Sequence, residues 1–416
     1  MKIADSSRTI IYGDRVILMN RNTGSWLKIS KECFNILNEA IENKLTRTEL
    51  LESFQDTEDR EYFKRILVQL DALDFLKSTS DSRTLREISF SLTRRCNLQC
   101  THCIVDAPNE STSEYLNTAE VIHILDKMIA SNPNNITLTG GEPLLRKDFF
   151  EILAYLRRKF DGNITLMTNA TLINKRNAGV LSKSIDTFCI SIDGVDESSV
   201  SIVRGSGVYD KTVASIKLLR TLGHEKISLS MVLTENNHRL VGAFYELNKQ
   251  LGTKPMLRAL SLTGRAGQYR DLLTSFKEDR PSQLADDRDG VKENTISDST
   301  GCSCTAGIDQ ITINYNGDVF PCDLFMDPQF KIGNINEIED LNQFIRSQQD
   351  NGAAHSCVSP YEPDSHPLCK ECPVNLFCWR CPHDLYRLES HSEAFKSRCQ
   401  SIKPYLMKKI WEQEVI

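Results

Sequence analysis

No stretch of this 416-residue chain approaches the run of about 18 apolar residues that a membrane-spanning helix needs, so no membrane partner is expected. The first residues, Met1-Lys2-Ile3-Ala4-Asp5-Ser6-Ser7, lack an apolar core, and a secretory signal is not expected either. Neither sign of charge dominates: 50 Lys and Arg stand against 56 Asp and Glu, interspersed, for a net charge of −6. A basic block of the kind that tracks a phosphate backbone is missing, which argues against a nucleic-acid partner. The expectation is a cytoplasmic protein of two or three domains with a large buried core.

What the chain has in quantity is cysteine, 14 residues. Disulfides are disfavoured in a reducing compartment, so metal binding is the better account. Cys96, Cys100 and Cys103 form one group, nine more fall between Cys302 and Cys399, and only Cys33 and Cys189 stand apart. Those two adjoin Phe34 and Phe188 and read as buried structural thiols. The first group lies in Arg95-Cys96-Asn97-Leu98-Gln99-Cys100-Thr101-His102-Cys103, a C-x3-C-x2-C spacing with no fourth cysteine nearby. Three thiolates can hold a four-iron cluster by three of its irons and leave the fourth iron open. Soft thiolates select iron–sulfur clusters or zinc over hard cations. A structural zinc wants a fourth protein ligand, and His102, adjacent to Cys103, is badly placed to supply it.

Along the chain, residues 1–80 read as a small separate unit. Short apolar runs at 9–12, 16–19 and 26–29 predict strands, and Gly13-Asp14 and residues 20–24 predict the turns between them. Ser30 is a candidate N-cap for a helix over 33–42, Thr46 and Glu49 have capping-box spacing, and a third helix is expected over 59–76. Residues 84–268 alternate strand and helix. Strands are expected at 88–92, 136–138, 164–167, 188–192, 227–233 and 257–262, with helices including 119–130 and 209–220. Repeated strand–helix units imply an α/β fold with a parallel sheet and helices outside it. Polar residues 269–300 predict a linker, residues 301–416 carry the second cysteine group, and a helical pattern at 405–412 closes the chain.

The C-x3-C-x2-C loop, with Gly140-Gly141-Glu142-Pro143 after the second strand, resembles the signature of radical S-adenosylmethionine (radical SAM) enzymes. Two glycines let a ligand come close to the backbone, and a carboxylate or carbonyl there suits an ammonium group. The resemblance implies a partial (β/α)6 barrel of the TIM type, open on one side, with the chemistry at the C-terminal ends of its strands. It implies that Cys96, Cys100 and Cys103 hold a [4Fe–4S] cluster whose open iron chelates SAM, and that Gly140, Gly141 and Glu142 meet the amino group of SAM. Asn169, Ser191 and Arg204 fall where the family contacts the ribose and carboxylate of SAM, and Asp193 is a candidate brace for the loop. The implied chemistry is one-electron reductive cleavage of SAM to methionine and a 5′-deoxyadenosyl radical, which takes hydrogen from an unactivated carbon.

In the C-terminal segment Cys304, Gly317 and Cys322 give C-x12-G-x4-C, and Cys369, Cys372, Cys378 and Cys381 give C-x2-C-x5-C-x2-C, with Cys399 beyond. Asn316-Gly317 between Ile311-Thr312-Ile313 and Val319 predicts a hairpin. By spacing alone a pair of zinc knuckles and a pair of iron–sulfur clusters remain open. The pattern resembles the SPASM extension of radical SAM enzymes, which houses two auxiliary [4Fe–4S] clusters, for three in all. The resemblance assigns Cys304, Cys322 and Cys381 to the first and Cys369, Cys372, Cys378 and Cys399 to the second. This chain has two residues before Cys381 where the family has three. Cys302 is the spare thiol that would complete the first cluster, and Cys357 is unassigned.

The N-terminal strands and helices resemble the winged-helix element that reads leader peptides for peptide-modifying enzymes. The three parts together resemble maturases of ribosomally made precursor peptides, of the sactipeptide and ranthipeptide type that form Cys-sulfur-to-carbon thioethers. Partners then expected are a precursor peptide with a leader and a one-electron donor such as flavodoxin or ferredoxin. Carbon–carbon crosslinking, formylglycine formation in a sulfatase and a non-catalytic metal scaffold are the alternatives.

Overall fold

The computed structural model describes all residues except 5, 77–83, 109–112, 235–236, 274–299, 351–356, 380, 390–391 and 413–416. Most of the expected linker at 269–300 therefore lies outside the described residues. Two compact units cut across chain order. Met1–Ser82, Arg280–Thr305 and Val358–Ile416 form one, and Arg83–Asp279 with Ala306–Cys357 form the other.

The first unit begins with an antiparallel meander, β1 (Ser7–Tyr12), β2 (Arg15–Asn20) and β3 (Trp26–Ser30). Helices Lys31–Glu42, Arg47–Glu52 and Thr57–Ala72 follow. Their starts are written in the sequence. The Ser30 hydroxyl accepts from the Cys33 N–H at 3.1 Å, and Thr46 and Glu49 form the reciprocal capping box. Each such cap is worth about 1 kcal/mol. Phe63, Ile66, Leu67 and Leu70 of the third helix share a core with Val16, Leu18 and Ile29 of the sheet. The opposite face of β2 is buried as well, Ile17 and Met19 packing with Leu376 and Ile410. Burial on both faces is why β2 reads as a continuous apolar run instead of an alternating one. At the far end, helices Pro382–Glu389 and Ser392–Met407 precede a π turn at Lys408–Glu412. The expected helix at 405–412 thus begins earlier, at Ser392. Pro404 sits inside it, and an internal proline reads in a sequence as a helix boundary.

The second unit holds β4 (Glu87–Ser91), β5 (Asn135–Thr139), β6 (Asn163–Thr168), β7 (Thr187–Ser191), β8 (Ile227–Leu233) and β9 (Lys254–Ala259), parallel and in sequence order. These are the six strands of the expected open barrel. The sheet does not stop at β4: β10 (Gln310–Ile313) pairs parallel to it, and β11 (Asp318–Phe320) and β12 (Gly333–Asn334) continue antiparallel, giving nine strands. The Asn316-Gly317 hairpin is present between β10 and β11, with Gly317 at φ +85°.

Register sets the two faces of this sheet. Phe90, Leu138, Leu166, Phe188 and Ile227 fall in one row across five strands, all 0–1% exposed. They share a core with Val121, Leu125 and Met128 of helix Thr118–Ala130, and with Ile216 and Leu219 of helix Val208–Thr221. The alternate row, Ser89, Thr137, Thr165 and Thr187, is small and polar and lines the other face. Because the strands run parallel, their C-terminal ends bring the following loops to one edge of the sheet.

Candidate functional site

The loop leaving β4 carries Cys96, Cys100 and Cys103, and it is held at both ends and across its middle. The buried Arg146 donates to the carbonyls of Leu92, before the loop, at 2.8 Å and Leu116, after it, at 3.0 Å. Arg265, beyond β9, donates to the carbonyls of Cys100 at 3.2 Å and Ala107 at 2.6 Å, pairs with Asp106 at 3.0 Å, and its N–H reaches the Cys103 carbonyl at 2.9 Å. Both arginines escaped the sequence reading. Their only signal there was an arginine shortly after a strand end.

Each sulfur on this loop receives an N–H. Leu98 donates to Cys96 at 3.4 Å, Ala107 to Cys103 at 3.4 Å, and the Arg204 guanidinium to Cys100 at 3.7 Å. Burial pushes the Cys96 thiol up to about 12 and raises Cys100 too, against the lowering pull of Arg204. Three soft sulfurs provided with donors fit an iron–sulfur cluster, whose potential and stability depend on such hydrogen bonds. Among the described residues, no group of three or more His, Cys, Asp or Glu stands close enough to share a single ion. A cluster asks for something different, one thiolate for each of three irons.

Gly140 and Gly141 lie where β5 ends, against that loop. A Cβ on Gly140 (φ +146°) would fall 2.4 Å from the Thr93 carbonyl oxygen, and one on Gly141 would fall 2.1 Å from that of Arg95. The close approach the two glycines permit is therefore to the cysteine loop's own backbone. Gly141 N–H to Thr93 and Glu142 N–H to Arg95, both 2.8 Å, complete the seam. We predict that Gly141→Ala forces the cysteine loop to shift. The variant should lose roughly four irons per chain, one cluster, together with its SAM cleavage. Gly179→Ala, which meets nothing within 4 Å, should lose neither. Iron analysis of both variants checks this, and a fully loaded Gly141→Ala protein would contradict it.

Glu142 is fully buried and fully used. Its carboxylate accepts from Thr168 Oγ1 at 2.7 Å, the Asn169 N–H at 2.8 Å and the Leu144 N–H at 3.1 Å, while burial raises its pKa. It ties the loop after β5 to the end of β6, and so sets Asn169. The Asn169 amide then donates to Asn97 Oδ1 at 3.0 Å and stands 3.9 Å from the Cys96 sulfur. Ser191 closes β7 opposite Ser230 and is partly exposed, on the polar face that Thr187 shares.

Arg204 ends helix Glu197–Arg204 and is buried against Asp193, Nε to Oδ2 at 2.6 Å. His102, on the cysteine loop itself, reaches the same Oδ2 through Nε2 at 2.8 Å, and the Val232 N–H donates to Oδ1 at 2.6 Å. Burial opposes ionisation of Asp193, but Arg204 and His102 outweigh it and hold the carboxyl well below the usual carboxylate range. Asp193 adopts φ +61°, a conformation that Asp tolerates better than most residues. It joins the cysteine loop, the end of β7 and β8. Removing one partner from a buried pair of this kind costs about 3–5 kcal/mol. His102 is the participant sequence reasoning missed, since its partner lies far along the chain.

A cavity of about 540 Å³ opens beside the cysteine loop, lined by Arg94, Arg95, Glu114, Tyr115, Arg265 and Tyr315 among others. It is the candidate place for a substrate next to the cluster loop.

The remaining cysteines divide between the units. In the first, Cys372 and Cys399 lie close enough to Cys369 and Cys378 to act on the ionisation of those two thiols. Trp379 packs with Cys369, and Arg398 donates to the Cys378 carbonyl at 2.6 Å and stacks 4.6 Å over the Trp379 ring. Burial pushes Cys369 up to about 11. Cys302, also in the first unit, is 1% exposed, is pushed up to about 12 by burial and feels Cys304 two residues on. Cys322 belongs to the second unit, where burial pushes it up to about 12 and Cys357 is the thiol whose charge it feels. Cys381 is partly buried in the first unit.

Residues 90–246 match the Radical SAM superfamily, and residues 302–373 match the SPASM iron–sulfur cluster-binding domain, a match that ends before Cys378, Cys381 and Cys399. An AdoMet-dependent heme synthase of Nitratidesulfovibrio vulgaris is 25% identical over 71% of this chain and 89% of its own length. The mycofactocin maturase MftC of Mycolicibacterium smegmatis is 27% identical over 65% of this chain and 74% of its own. Among solved structures, Streptococcus suis SuiB bound to its precursor peptide SuiA aligns with TM-score 0.52 at 18% identity, covering 91% of this chain and 94% of that one. No helix among the described residues is long and apolar enough to cross a membrane. The chain carries a Radical SAM domain and a SPASM domain, and these domains imply SAM, a [4Fe–4S] cluster and auxiliary iron–sulfur clusters as cofactors.

Proposed function

We propose that this protein is a peptide maturase that joins a cysteine sulfur to an unactivated carbon within a ribosomally made precursor. One observation carries the reading: the N-terminal sheet and the quartet of Cys369, Cys372, Cys378 and Cys399 belong to one compact unit. A peptide-reading element and a site able to take up an electron are then built as one body. β1 is an edge strand, with Ile11 52% and Tyr12 47% exposed, and an extended leader can add to such an edge through backbone hydrogen bonds. Support comes from MftC, a maturase by name, and from SuiB, which is solved with a precursor peptide.

In this reading Cys96, Cys100 and Cys103 hold the SAM-binding cluster. Cluster and SAM together supply a carbon radical that abstracts hydrogen. The Glu142 carboxylate, already occupied by three donors, positions Asn169, and the backbone carbonyls of Gly140 and Gly141 meet the ammonium group of SAM. Asn169, Ser191 and Arg204, at the ends of β6, β7 and helix Glu197–Arg204, would contact the rest of SAM. Cys302, Cys304 and Cys381 are the first unit's ligands for the first auxiliary cluster, and the quartet holds the second. A flavodoxin or ferredoxin supplies the electron.

The test is an anaerobic incubation of the full-length protein with reductant, SAM and short Cys-containing peptides encoded beside its gene. We expect 5′-deoxyadenosine and a peptide lacking two hydrogens with one fewer alkylatable thiol. Loss of two hydrogens with every thiol intact would replace the thioether by a carbon–carbon crosslink. Absence of 5′-deoxyadenosine would overturn the reading as a whole.

A further inference from the structure

The turn between β2 and β3 of the N-terminal sheet is stapled to the segment that carries Cys302 and Cys304. The Gly301 N–H donates to the Gly24 carbonyl at 2.8 Å, and the Cys304 N–H donates to the Arg21 carbonyl at 3.1 Å. The two backbones meet so closely that a Cβ on Gly24 (φ +71°) would lie 2.5 Å from the Gly301 oxygen. This brings the buried Arg21 side chain, from the sheet, close enough to the buried Cys302 thiol for each to bear on the other's charge.

Arg21 is unusual for an arginine. The residue is 3% exposed, and none of its three guanidinium nitrogens makes a hydrogen bond of ordinary geometry. Its nearest carboxylates are Glu362 at 3.4 Å and Asp364 at 3.8 Å, both longer than a good charged hydrogen bond, and Asp364 is already taken by Arg8. A buried guanidinium has five N–H donors in a fixed fork and is costly to leave unsatisfied. What lies against it is a buried sulfur. Sulfur atoms carrying the negative charge of a cluster would accept what Glu362 and Asp364 leave unused.

We infer that Arg21 is a positioning residue for the auxiliary cluster bordered by Cys302. The N-terminal sheet thereby supplies a fixed positive charge that draws that cluster's reduction potential upward. The potential of an iron–sulfur cluster rises as nearby positive charge and hydrogen bonds to its sulfurs favour the reduced, more negative state. The inference depends on the auxiliary clusters of the SPASM domain and not on the substrate of the enzyme.

The test is an EPR-monitored redox titration of the full-length, anaerobically reconstituted protein. It is run in a Cys96→Ala, Cys100→Ala, Cys103→Ala background, so that only auxiliary clusters give signals. Arg21→Gln should move the midpoint of one auxiliary signal to lower potential with iron content unchanged, and Arg21→Lys should restore most of the shift. The double variant Arg21→Gln, Glu362→Gln removes the ion pair as a unit. It keeps the local charge balance should the single variant fail to fold. Because Arg21 acts on Cys302 more strongly than Glu362 does, the double variant should still titrate below the parent. Midpoints of a folded, fully loaded Arg21→Gln protein that match the parent would overturn the inference. So would full recovery in the double variant, which would reduce Arg21 to an ion-pair partner of Glu362.

Discussion

With Cys96, Cys100 and Cys103 all changed to Ala, 5′-deoxyadenosine production should fall to zero while auxiliary clusters remain. The expectation rests on where the sulfurs are. These three share one loop at the C-terminal edge of the large sheet, clamped by Arg146 and Arg265. Cys369, Cys372, Cys378 and Cys399 belong to the other compact unit, with their own neighbours in Trp379 and Arg398. Sites on separate compact units with no shared partners respond independently to mutation. Only a three-thiol site leaves an iron open to SAM, whereas four thiolates saturate a cubane. Iron should fall by roughly four per chain, with the auxiliary absorption and EPR signals retained. Substitution by Ala should not unfold the loop, because its clamps run through backbone carbonyls that the variant keeps. A triple variant that still cleaves SAM would mean that the open iron lies elsewhere.

Much of this fold could be read where one strand's chemistry repeats at a fixed period. Ile88 and Phe90, Ile136 and Leu138, Ile164 and Leu166 alternate with Ser or Thr, so burial on one face alone identifies their strands. The expected strand at 257–262 starts later than the observed β9, Lys254–Ala259, because β9 opens on the exposed Lys254-Pro255, a charge and a proline that argue against a strand. The addition of β10 to β4 has no local signal in the sequence. Its four residues join a strand more than 200 positions earlier, and nothing local in a sequence encodes such a pairing.

In the site, cysteine spacing gave the loop, but the network behind it is spatial. Asp193 reads as a turn residue until His102, Arg204 and the Val232 N–H are seen to converge on it. Gly140 and Gly141 suggested close approach correctly in kind. The approaching group, the backbone of Thr93 to Arg95, is one that only folding brings there. The same holds for the N-terminal unit, whose strands and caps are local and legible. The face of β2 carrying Ile17 and Met19 is covered by Leu376 and Ile410, some 360 residues or more downstream. Leader binding is therefore best measured on the whole chain, because a fragment of residues 1–80 would expose that face.

The second large effect should fall on product and spare SAM cleavage. Joining a thiol sulfur to a carbon that has lost a hydrogen atom releases one proton and leaves one surplus electron, and the bond closes only if that electron has somewhere to go. The quartet of Cys369, Cys372, Cys378 and Cys399 is suited to hold the acceptor: Cys369 is 7% exposed and packs with Trp379, and the Arg398 guanidinium is held beside Cys378 by its 2.6 Å hydrogen bond to the Cys378 carbonyl. Burial and hydrogen bonds to sulfur are the terms that set a cluster's potential. Cys369→Ser should therefore leave 5′-deoxyadenosine formation close to the parent's while crosslinked peptide falls by at least about tenfold, the lower end of what even outer-shell losses cost metal sites. Loss of a ligand can also unfold a metal-dependent segment, so circular dichroism and iron content must accompany the assay. Cys33→Ser, a thiol of the same unit that belongs to no cysteine group, is the control for substitution as such and should change neither product. If folded Cys369→Ser protein makes crosslinked peptide and 5′-deoxyadenosine in the parent's ratio, the electron leaves by another route and the quartet is structural.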